Sequence, residues 1–437
     1  MIDETLYDVG CVVLAALLIW FSLRATVVRL RRSRPQLIVG GPLVVGVGAR
    51  MLAAAAVSLS GLGLTLRGGD EGTFLRGARE VAASPLDSGL WLPGESHRLH
   101  EIVFAIQIKL GDFPPAALRV VQIGIAMLGI VLVVAAIHDV AGPRAARLGA
   151  WALALEPAGI FFNSILHREP LLVLASGLVV FGGAKVWVGL ELRGVLLLAL
   201  GCAVALATRP YAGWFLITAA LLLVLHAALR HRSSTARALP LAYVVGIVCV
   251  AATPAVLQLT SEDNLEQNLQ QSQDANTDPN SSRGSANSNN LSLERVDFST
   301  RSALVENLPA RVRDVVLRPY PWQVQNTSQR LGAIGTLVVL ATLCLLVRYA
   351  RRTRGRALAL TAPFVYPGVF LLIAYALSVG NAGTGFRYRT HLVLLGLATL
   401  VVLREHALRD AASTVATRRR GATAGDPTRL RIEFLDR

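Results

Sequence analysis

The sequence predicts an all-α polytopic membrane protein with about 11 transmembrane helices and with interfacial amphipathic helices in two long outer loops. Of the 437 residues, 53% are hydrophobic and only 16% are charged. Apolar stretches recur from end to end, most of them close to the ~20 residues that cross a bilayer as a helix. Basic residues follow every second stretch, as expected when the chain crosses a membrane repeatedly.

The predicted spans set the organisation of the chain. They cover residues 9–23, 40–66, 118–138, 149–165, 170–184, 194–207, 210–229, 239–258, 331–347, 358–377 and 390–403. The resulting segments are spans 1 and 2 (1–66), a first outer loop (67–117), spans 3 to 8 (118–258), a second outer loop (259–330), spans 9 to 11 (331–403) and a basic cytoplasmic tail (404–437).

The net charge of +15 follows this topology. Each odd-numbered predicted span ends on a basic segment, represented by Arg29, Arg144, Arg193, Arg230, Arg351 and Arg418. By the positive-inside rule these ends are cytoplasmic, which places the N-terminus outside and the C-terminus inside. Because the arginines are distributed by topology, we expect a lipid bilayer and no nucleic acid as partner. Two lysines against 41 arginines indicate a GC-rich genome and favour a bacterial plasma membrane.

One arginine interrupts an apolar stretch. Arg50 lies inside the second predicted span, after Gly40, Gly41 and Pro42. These residues allow the true span to begin closer to Arg50, so we expect its side chain to reach the inner headgroups from the end of the span.

The first outer loop contains two helical patterns. Phe74, Ala78, Val81 and Ala82 share one face of a first amphipathic helix. A second helix would place five apolar residues on one face: Leu99, Ile102, Val103, Ile106 and Leu110. Both are expected to lie at the membrane interface.

The second outer loop begins with a Gln/Asn/Ser tract, residues 264–290, which lacks apolar anchors and is predicted to be a disordered spacer. After it, Leu304, Leu308, Val312 and Val315 recur at helical spacing. The following Pro319 and Pro321 predict the end of that helix.

The predicted topology places several charged and aromatic residues at the outer ends of different spans. We predict Asp70 and Glu71 as candidates for a catalytic base, because charged groups at this depth are costly unless paired or functional. Four arginines are predicted to contact a lipid phosphate, because the guanidinium fork matches that anion: Arg168, Arg209, Arg387 and Arg389. Five residues are predicted to bind sugar or acceptor or to line the cavity: Glu169, Tyr211, Tyr320, Trp322 and Tyr388.

Structural roles remain open for the same residues. Asp70 is well placed to cap a helix that starts at Glu71. Arg168 and Glu169 could form a local ion pair, and Arg209 could reach outer headgroups. Trp322 suits an interface anchor.

A metal or cofactor site is not predicted. His97, His100 and Glu101 place three possible ligands within one helix turn, so a divalent cation is possible, but the spacing matches no recognised metal motif.

The acidic pair Asp70-Glu71 followed by Phe74 and Ala78, the Arg168-Glu169 turn, and the run Phe386-Arg387-Tyr388-Arg389 resemble the GT-C superfamily of integral-membrane glycosyltransferases. The nearest resemblance is to the bacterial protein-mannosyltransferase and aminoarabinose-transferase-like members. It implies a polyprenyl-phosphate-linked sugar donor, a glycan, lipid or protein acceptor, and inverting transfer on the outer face. Asp70 or Glu71 would be the general base. The acidic loop of those relatives usually follows the first span, whereas here it follows the second.

Two other functions remain as alternatives. A polysaccharide repeat-unit polymerase would use polyprenyl-diphosphate-linked oligosaccharides and arginine-rich outer loops. A lipid-linked sugar transporter would place charges deep inside several spans, between inverted halves, whereas here the charges crowd the outer ends of the predicted spans and no halves are evident in the sequence.

Overall fold

A computed structural model describes residues 2–60, 70–94, 98–231, 301–324, 327–353, 355–379 and 382–424. Throughout these ranges the regular structure is helical, and they contain no β-strand. The predicted all-helical class is confirmed, and the apolar helices make the chain a multi-pass membrane protein.

The described ranges contain 14 α-helices. In chain order they are α1 (Ile2–Ser33), α2 (Gly40–Ser60), α3 (Asp70–Ala83), α4 (Leu99–Gly111), α5 (Pro115–Ala141), α6 (Pro143–Ala154), α7 (Pro157–Phe162), α8 (Glu169–Gly189), α9 (Leu192–Thr208), α10 (Pro210–Arg230), α11 (Arg301–Leu317), α12 (Thr327–Arg352), α13 (Ala357–Ser378) and α14 (Ala382–Ala424).

Eight of these helices are long and apolar enough to cross a membrane: α1, α2, α5, α8, α10, α12, α13 and α14. Helix α9 is apolar but shorter, at 17 residues. The predicted span 239–258, like the predicted disordered tract, lies outside the described residues. The total of 11 spans and the orientation of the termini therefore stay predictions.

The predicted span 149–165 is not one continuous helix. Helix α6 ends at Ala154, and α7 begins at Pro157 with the Glu156 carboxylate accepting hydrogen bonds from the backbone of Ala158 and Gly159. Proline at the first helical position and an acidic N-cap together favour a new helix start. The break thus follows from the Glu156-Pro157 sequence.

The centre of the bundle is the contact between α5 and α8. A Cβ atom at Gly129 would lie 2.5 Å from the carbonyl oxygen of Val173, and one at Gly177 would clash with the backbone of Gly129. Only glycine allows the two helix backbones to approach this closely, as in many membrane helix pairs. The peripheral helices expose apolar side chains on the outer surface of the bundle, including Leu17 on α1 and Leu337 on α12.

The first outer-loop pattern is confirmed as α3, which buries Phe74, Ala78, Val81 and Ala82. The second pattern is helical as predicted, but α4 buries only Ile102 of the predicted apolar face. Phe104 and His100 are buried, whereas Ile106 and Leu110 are exposed. The physical reason is that His100 packs edge-on against Phe74 of α3 and Phe104 joins the same apolar cluster as Phe74, which turns Ile106 and Leu110 outward.

The expectation for Arg50 is wrong. Helix α2 begins at Gly40, so Arg50 lies at its middle, and the residue is 0% exposed. Arg50 Nη1 donates to the carbonyl oxygens of Gly46 and Ala154, at 3.0 and 2.7 Å. Ala154 ends α6, so its carbonyl lacks a helical donor, and the helix break therefore supplies the acceptor that holds Arg50 inside the protein.

Candidate functional site

Four segment ends meet at one end of the bundle. They are the start of α3, the link between α7 and α8, the α9–α10 junction, and the start of α14. They bring together five residues that are spread over more than 300 positions of the chain: Asp70, His167, Arg168, Arg209 and Arg387. We call these five residues, with Glu169, the polar cluster.

Asp70 and Arg387 form the most accessible ion pair of the polar cluster. Arg387 Nη1 lies 2.5 Å from Asp70 Oδ2, and the two side chains are 15% and 37% exposed, respectively. Arg387 Nη1 also lies 3.3 Å from Nδ1 of His167. The burial that Asp70 does experience raises its pKa, but the charges of Arg387, His167 and Arg168 outweigh this effect and lower the pKa overall. The carboxyl group is therefore ionised at neutral pH.

Glu169 is the fully buried acid of the polar cluster, at 0% exposed. Its Oε1 accepts from Arg209 Nη2 at 3.2 Å, and its Oε2 lies 3.4 Å from Nδ1 of His167. The side chain therefore fixes two basic groups. Complete burial does not fit its predicted place on the wall of an open cavity.

An aromatic stack supports Arg209. The guanidinium carbon lies 4.7 Å from the ring centroid of Tyr388, within cation–π range, and Tyr388 stacks on Tyr375 with centroids 4.3 Å apart. The hydroxyl oxygens of Tyr211 and Tyr388 lie 2.6 Å apart. Tyr375 also contacts Nδ1 of His391 at 3.1 Å. Tyr211 and Tyr388, which were predicted to line the cavity, thus lie beneath the Arg209 guanidinium and support it.

Arg168 lies over the ring of Phe74, with its guanidinium carbon 5.0 Å from the ring centroid. Burial lowers the pKa of Arg168, and the neighbouring positive charge of Arg209 lowers it further. Within the described residues, Arg168 Nε and Arg209 Nε and Nη1 have no hydrogen-bond partner. Three arginines against two carboxylates leave the polar cluster with one excess positive charge, which favours an anionic ligand.

Glu71 has a different environment from Asp70. Its Oε1 lies 2.6 Å from Arg119 Nη2, and both side chains are at least 90% buried. The same oxygen accepts from the backbone nitrogen of Leu166 at 3.3 Å, while Arg119 Nη1 donates to Ser58 at 2.8 Å. This pair ties α3 to α5, to α2 and to the link before α8. Glu71 is therefore engaged in holding the scaffold together.

Arg389 lies apart from Arg387. Its Nε donates to the carbonyl oxygen of Val315 at 2.5 Å, and its Nη1 donates to Thr336 at 2.8 Å. Residues two positions apart on a helix point about 200° from each other, which explains why the two arginines face different neighbours. Arg389 therefore does not belong to the polar cluster, where its contact with the donor phosphate was expected.

Tyr320 and Trp322 follow α11. Their rings stack with centroids 4.9 Å apart, the Tyr320 hydroxyl donates to Asp314, and Trp322 is 78% exposed. The stacking and the hydrogen bond place Tyr320 and Trp322 beside Asp314 rather than in the polar cluster. Their contact with a sugar or an acceptor stays a prediction.

In the described part of the chain, no three His, Cys, Asp or Glu side chains are grouped in a way that could hold a metal ion. His97 lies outside the described residues. His100 is 1% exposed and packs edge-on against Phe74, with ring centroids 4.4 Å apart. Burial, together with the positive charge of Arg168, lowers its pKa well below 6.5, so the imidazole is neutral at pH 7.

Three contributors were missed from the sequence. Tyr375, His391 and Arg119 lie inside or at the edge of apolar stretches, where they read as isolated polar residues. For His391 a signal was present, because it follows Tyr388 by three residues and so shares its helix face. No pattern within the sequence pairs Arg119 with Glu71, since that contact joins two helices.

Comparison of the chain with models of protein families, with curated proteins and with solved structures finds no match.

Proposed function

We propose that this protein is a membrane glycosyltransferase that moves a sugar from a polyprenyl-phosphate-linked donor to a glycan, lipid or protein acceptor on the outer face of a bacterial plasma membrane. The observation that carries the proposal is the partly exposed Asp70 carboxylate beside a cluster of excess positive charge. An ionised base next to an anion-binding group is what transfer from a phosphate donor requires. The resemblance of the sequence motifs to GT-C enzymes supports the same reaction.

Asp70 would remove the proton from the acceptor hydroxyl as its oxygen attacks the anomeric carbon. Arg387 engages Oδ2, and among the described residues no hydrogen bond to Oδ1 is found, so Oδ1 would receive the proton. The bond from the anomeric carbon to the donor phosphate breaks, and the phosphate leaves with the electron pair. A phosphate is a good leaving group, so no second carboxylic acid is needed to protonate it.

Arg168, Arg209 and Arg387 would stabilise the departing phosphate. Arg168 and Arg209 repel each other in the absence of an anion. Phe74 and Tyr388 orient those of their N–H groups that have no hydrogen-bond partner among the described residues. Donors fixed in place before the reaction stabilise developing charge without having to reorganise. We propose Asp70 rather than Glu71 as the base, because Glu71 is buried in an ion pair with Arg119.

The test compares wild type with Asp70→Asn in membrane vesicles supplied with labelled polyprenyl-phosphate sugars and endogenous acceptors. General-base catalysis is worth about 100- to 10,000-fold, so Asp70→Asn should lower transfer by at least about 100-fold. Asp87→Asn is the matched control, because Asp87 is an exposed acid in the same outer loop. Retained transfer in Asp70→Asn would contradict the proposed mechanism. Transfer only from diphosphate-linked oligosaccharides would indicate a polymerase.

A transporter is the second candidate, and one observation favours it. Arg50 and Glu156 are buried charges beside the break between α6 and α7, and transporters place such groups at discontinuous helices. Uptake of a labelled lipid-linked sugar into vesicles without cleavage of its glycosidic bond would support transport. Cleavage of that bond by the wild type supports the transferase.

A further inference from the structure

A cleft opens between α12, α13 and α14, away from the polar cluster. Its empty volume, counted together with the space open to the surroundings, is about 750 Å³. The walls are apolar and include Val339, Leu343, Val369, Leu392 and Gly396. Leu343 and Val369 are 42% and 46% exposed, so the cleft opens sideways toward the surface that the apolar helices present to lipid. We call it the lateral cleft.

Arg389 is the one charged residue among the residues that line the lateral cleft. It is 3% exposed, and its Nη2 has no hydrogen-bond partner among the described residues. Its other nitrogens donate to neutral oxygens of Val315 and Thr336. A buried guanidinium held only by neutral acceptors is costly, and an anion reaching Nη2 would relieve that cost.

The length of the lateral cleft matches one leaflet of a bilayer. Along α14 its lining runs from Arg389 to Thr399, a separation of ten positions, which is about 15 Å of helix. Half of the ~30 Å hydrocarbon core has the same thickness. A cation at one end and a single leaflet of apolar wall match a lipid with an anionic headgroup and one acyl chain in the cleft.

We propose that the lateral cleft binds one anionic glycerophospholipid of the bilayer, with its phosphate on Arg389 and one acyl chain along α14. A polyprenyl carrier is a poorer fit, because its chain is longer than one leaflet. Arg389 also faces away from Arg387 and the polar cluster. The lipid would fill the space between α12 and α13 and hold these helices together, so this site does not depend on the proposed transferase activity.

The experiment titrates the purified full-length protein in neutral detergent with phosphatidylglycerol or phosphatidylcholine and counts bound lipids by native mass spectrometry. We expect one phosphatidylglycerol to bind in preference to phosphatidylcholine. Arg389→Gln should weaken this binding by about tenfold or more, the loss expected for a charge-assisted hydrogen bond. Arg351→Gln is the control, because Arg351 is an exposed arginine at the other end of α12.

A second variant tests the apolar part without altering charge. A Cβ at Gly368 would meet Leu395 only at ordinary contact distance, 3.7 Å, so Gly368→Leu fits locally and fills the lateral cleft. We expect it to reduce phosphatidylglycerol binding while the protein remains monodisperse. Equal binding by wild type, Arg389→Gln and Gly368→Leu would overturn the proposal. Displacement of phosphatidylglycerol by an equal concentration of a polyprenyl phosphate would also overturn it, since the cleft would then belong to the carrier.

Discussion

Replacement of Glu71 by glutamine should destabilise the protein far more than replacement of an exposed acid on the same helix. The Glu71–Arg119 ion pair has a separation of 2.6 Å, and its side chains are 10% and 7% exposed. Glutamine keeps one oxygen that can accept from Arg119 but carries no charge, so Arg119 becomes a buried cation without a counterion among the described residues. Such a loss costs about 3–5 kcal/mol of unfolding free energy.

The measurement is the unfolding free energy in mixed detergent micelles for Glu71→Gln, with Glu80→Gln as control. Glu80 is exposed on α3, so its replacement should change the free energy by less than about 0.5 kcal/mol. Arg119→Gln and the double variant complete a cycle. Because the double variant leaves no unpaired charge, its loss should be smaller than the sum of the single losses. A Glu71→Gln value equal to that of Glu80→Gln would refute the scaffold role.

Three further predictions address the polar cluster and its surroundings. His100→Phe should flatten the fall of stability from pH 7 to pH 5 in unfolding experiments at each pH. The unfolded chain binds the His100 proton near pH 6.5 and the folded protein does so only at lower pH, so acid favours unfolding by up to about 1.4 kcal/mol per pH unit. The lowered pKa of Asp70 should place the acid limb of sugar transfer at a lower pH than an ordinary aspartate would, and Arg387→Gln should move that limb to higher pH, because burial still raises the pKa when the cation is gone. A pH–rate profile that is the same in both proteins would argue against this pairing. Measured as the free energy of unfolding, Tyr388→Phe should lower stability by about 1 kcal/mol, because the hydrogen bond to Tyr211 is lost. Tyr388→Ala should lower it by about 3 kcal/mol or more, because the ring beneath the Arg209 guanidinium is lost as well. Equal losses in the two variants would exclude the stacking role.

The helical class and the outer-loop helix α3 were predictable because they depend on local pattern. Phe74, Ala78 and Val81 repeat at helical spacing, and tertiary contacts bury the same face. Long apolar stretches likewise predict helices wherever a backbone must satisfy its own hydrogen bonds in lipid. The α6–α7 break is also encoded locally, by Glu156 and Pro157, but an apolar stretch on both sides hides it.

The details of the candidate site were less predictable because they depend on helix rotation. Asp70 and Glu71 are adjacent and chemically similar, yet they project about 100° apart on α3. One meets Arg387 at a partly open surface, and the other meets Arg119 in the interior. These partners lie on α14 and α5, and their positions relative to α3 follow from packing of the whole bundle rather than from any sequence spacing.

The charged residues thus fall into two environments, the buried Glu71–Arg119 pair and the polar cluster. Glu71 and Arg119 neutralise each other, and their remaining hydrogen bonds go to Ser58 on α2 and to Leu166 in the link before α8, so the pair has little capacity to bind anything else. In the polar cluster, by contrast, Arg168 and Arg209 repel each other and keep N–H groups that have no hydrogen-bond partner in the described part of the chain. A bound phosphate would satisfy those donors and reduce the repulsion. Removal of Arg168 would weaken phosphate binding but relieve the unliganded protein, whereas removal of Arg209 would also leave the buried Glu169 without its guanidinium partner. We therefore expect ligand binding and stability to respond in opposite directions at Arg168, which distinguishes it from the Glu71–Arg119 pair, where substitution is expected to weaken the fold alone.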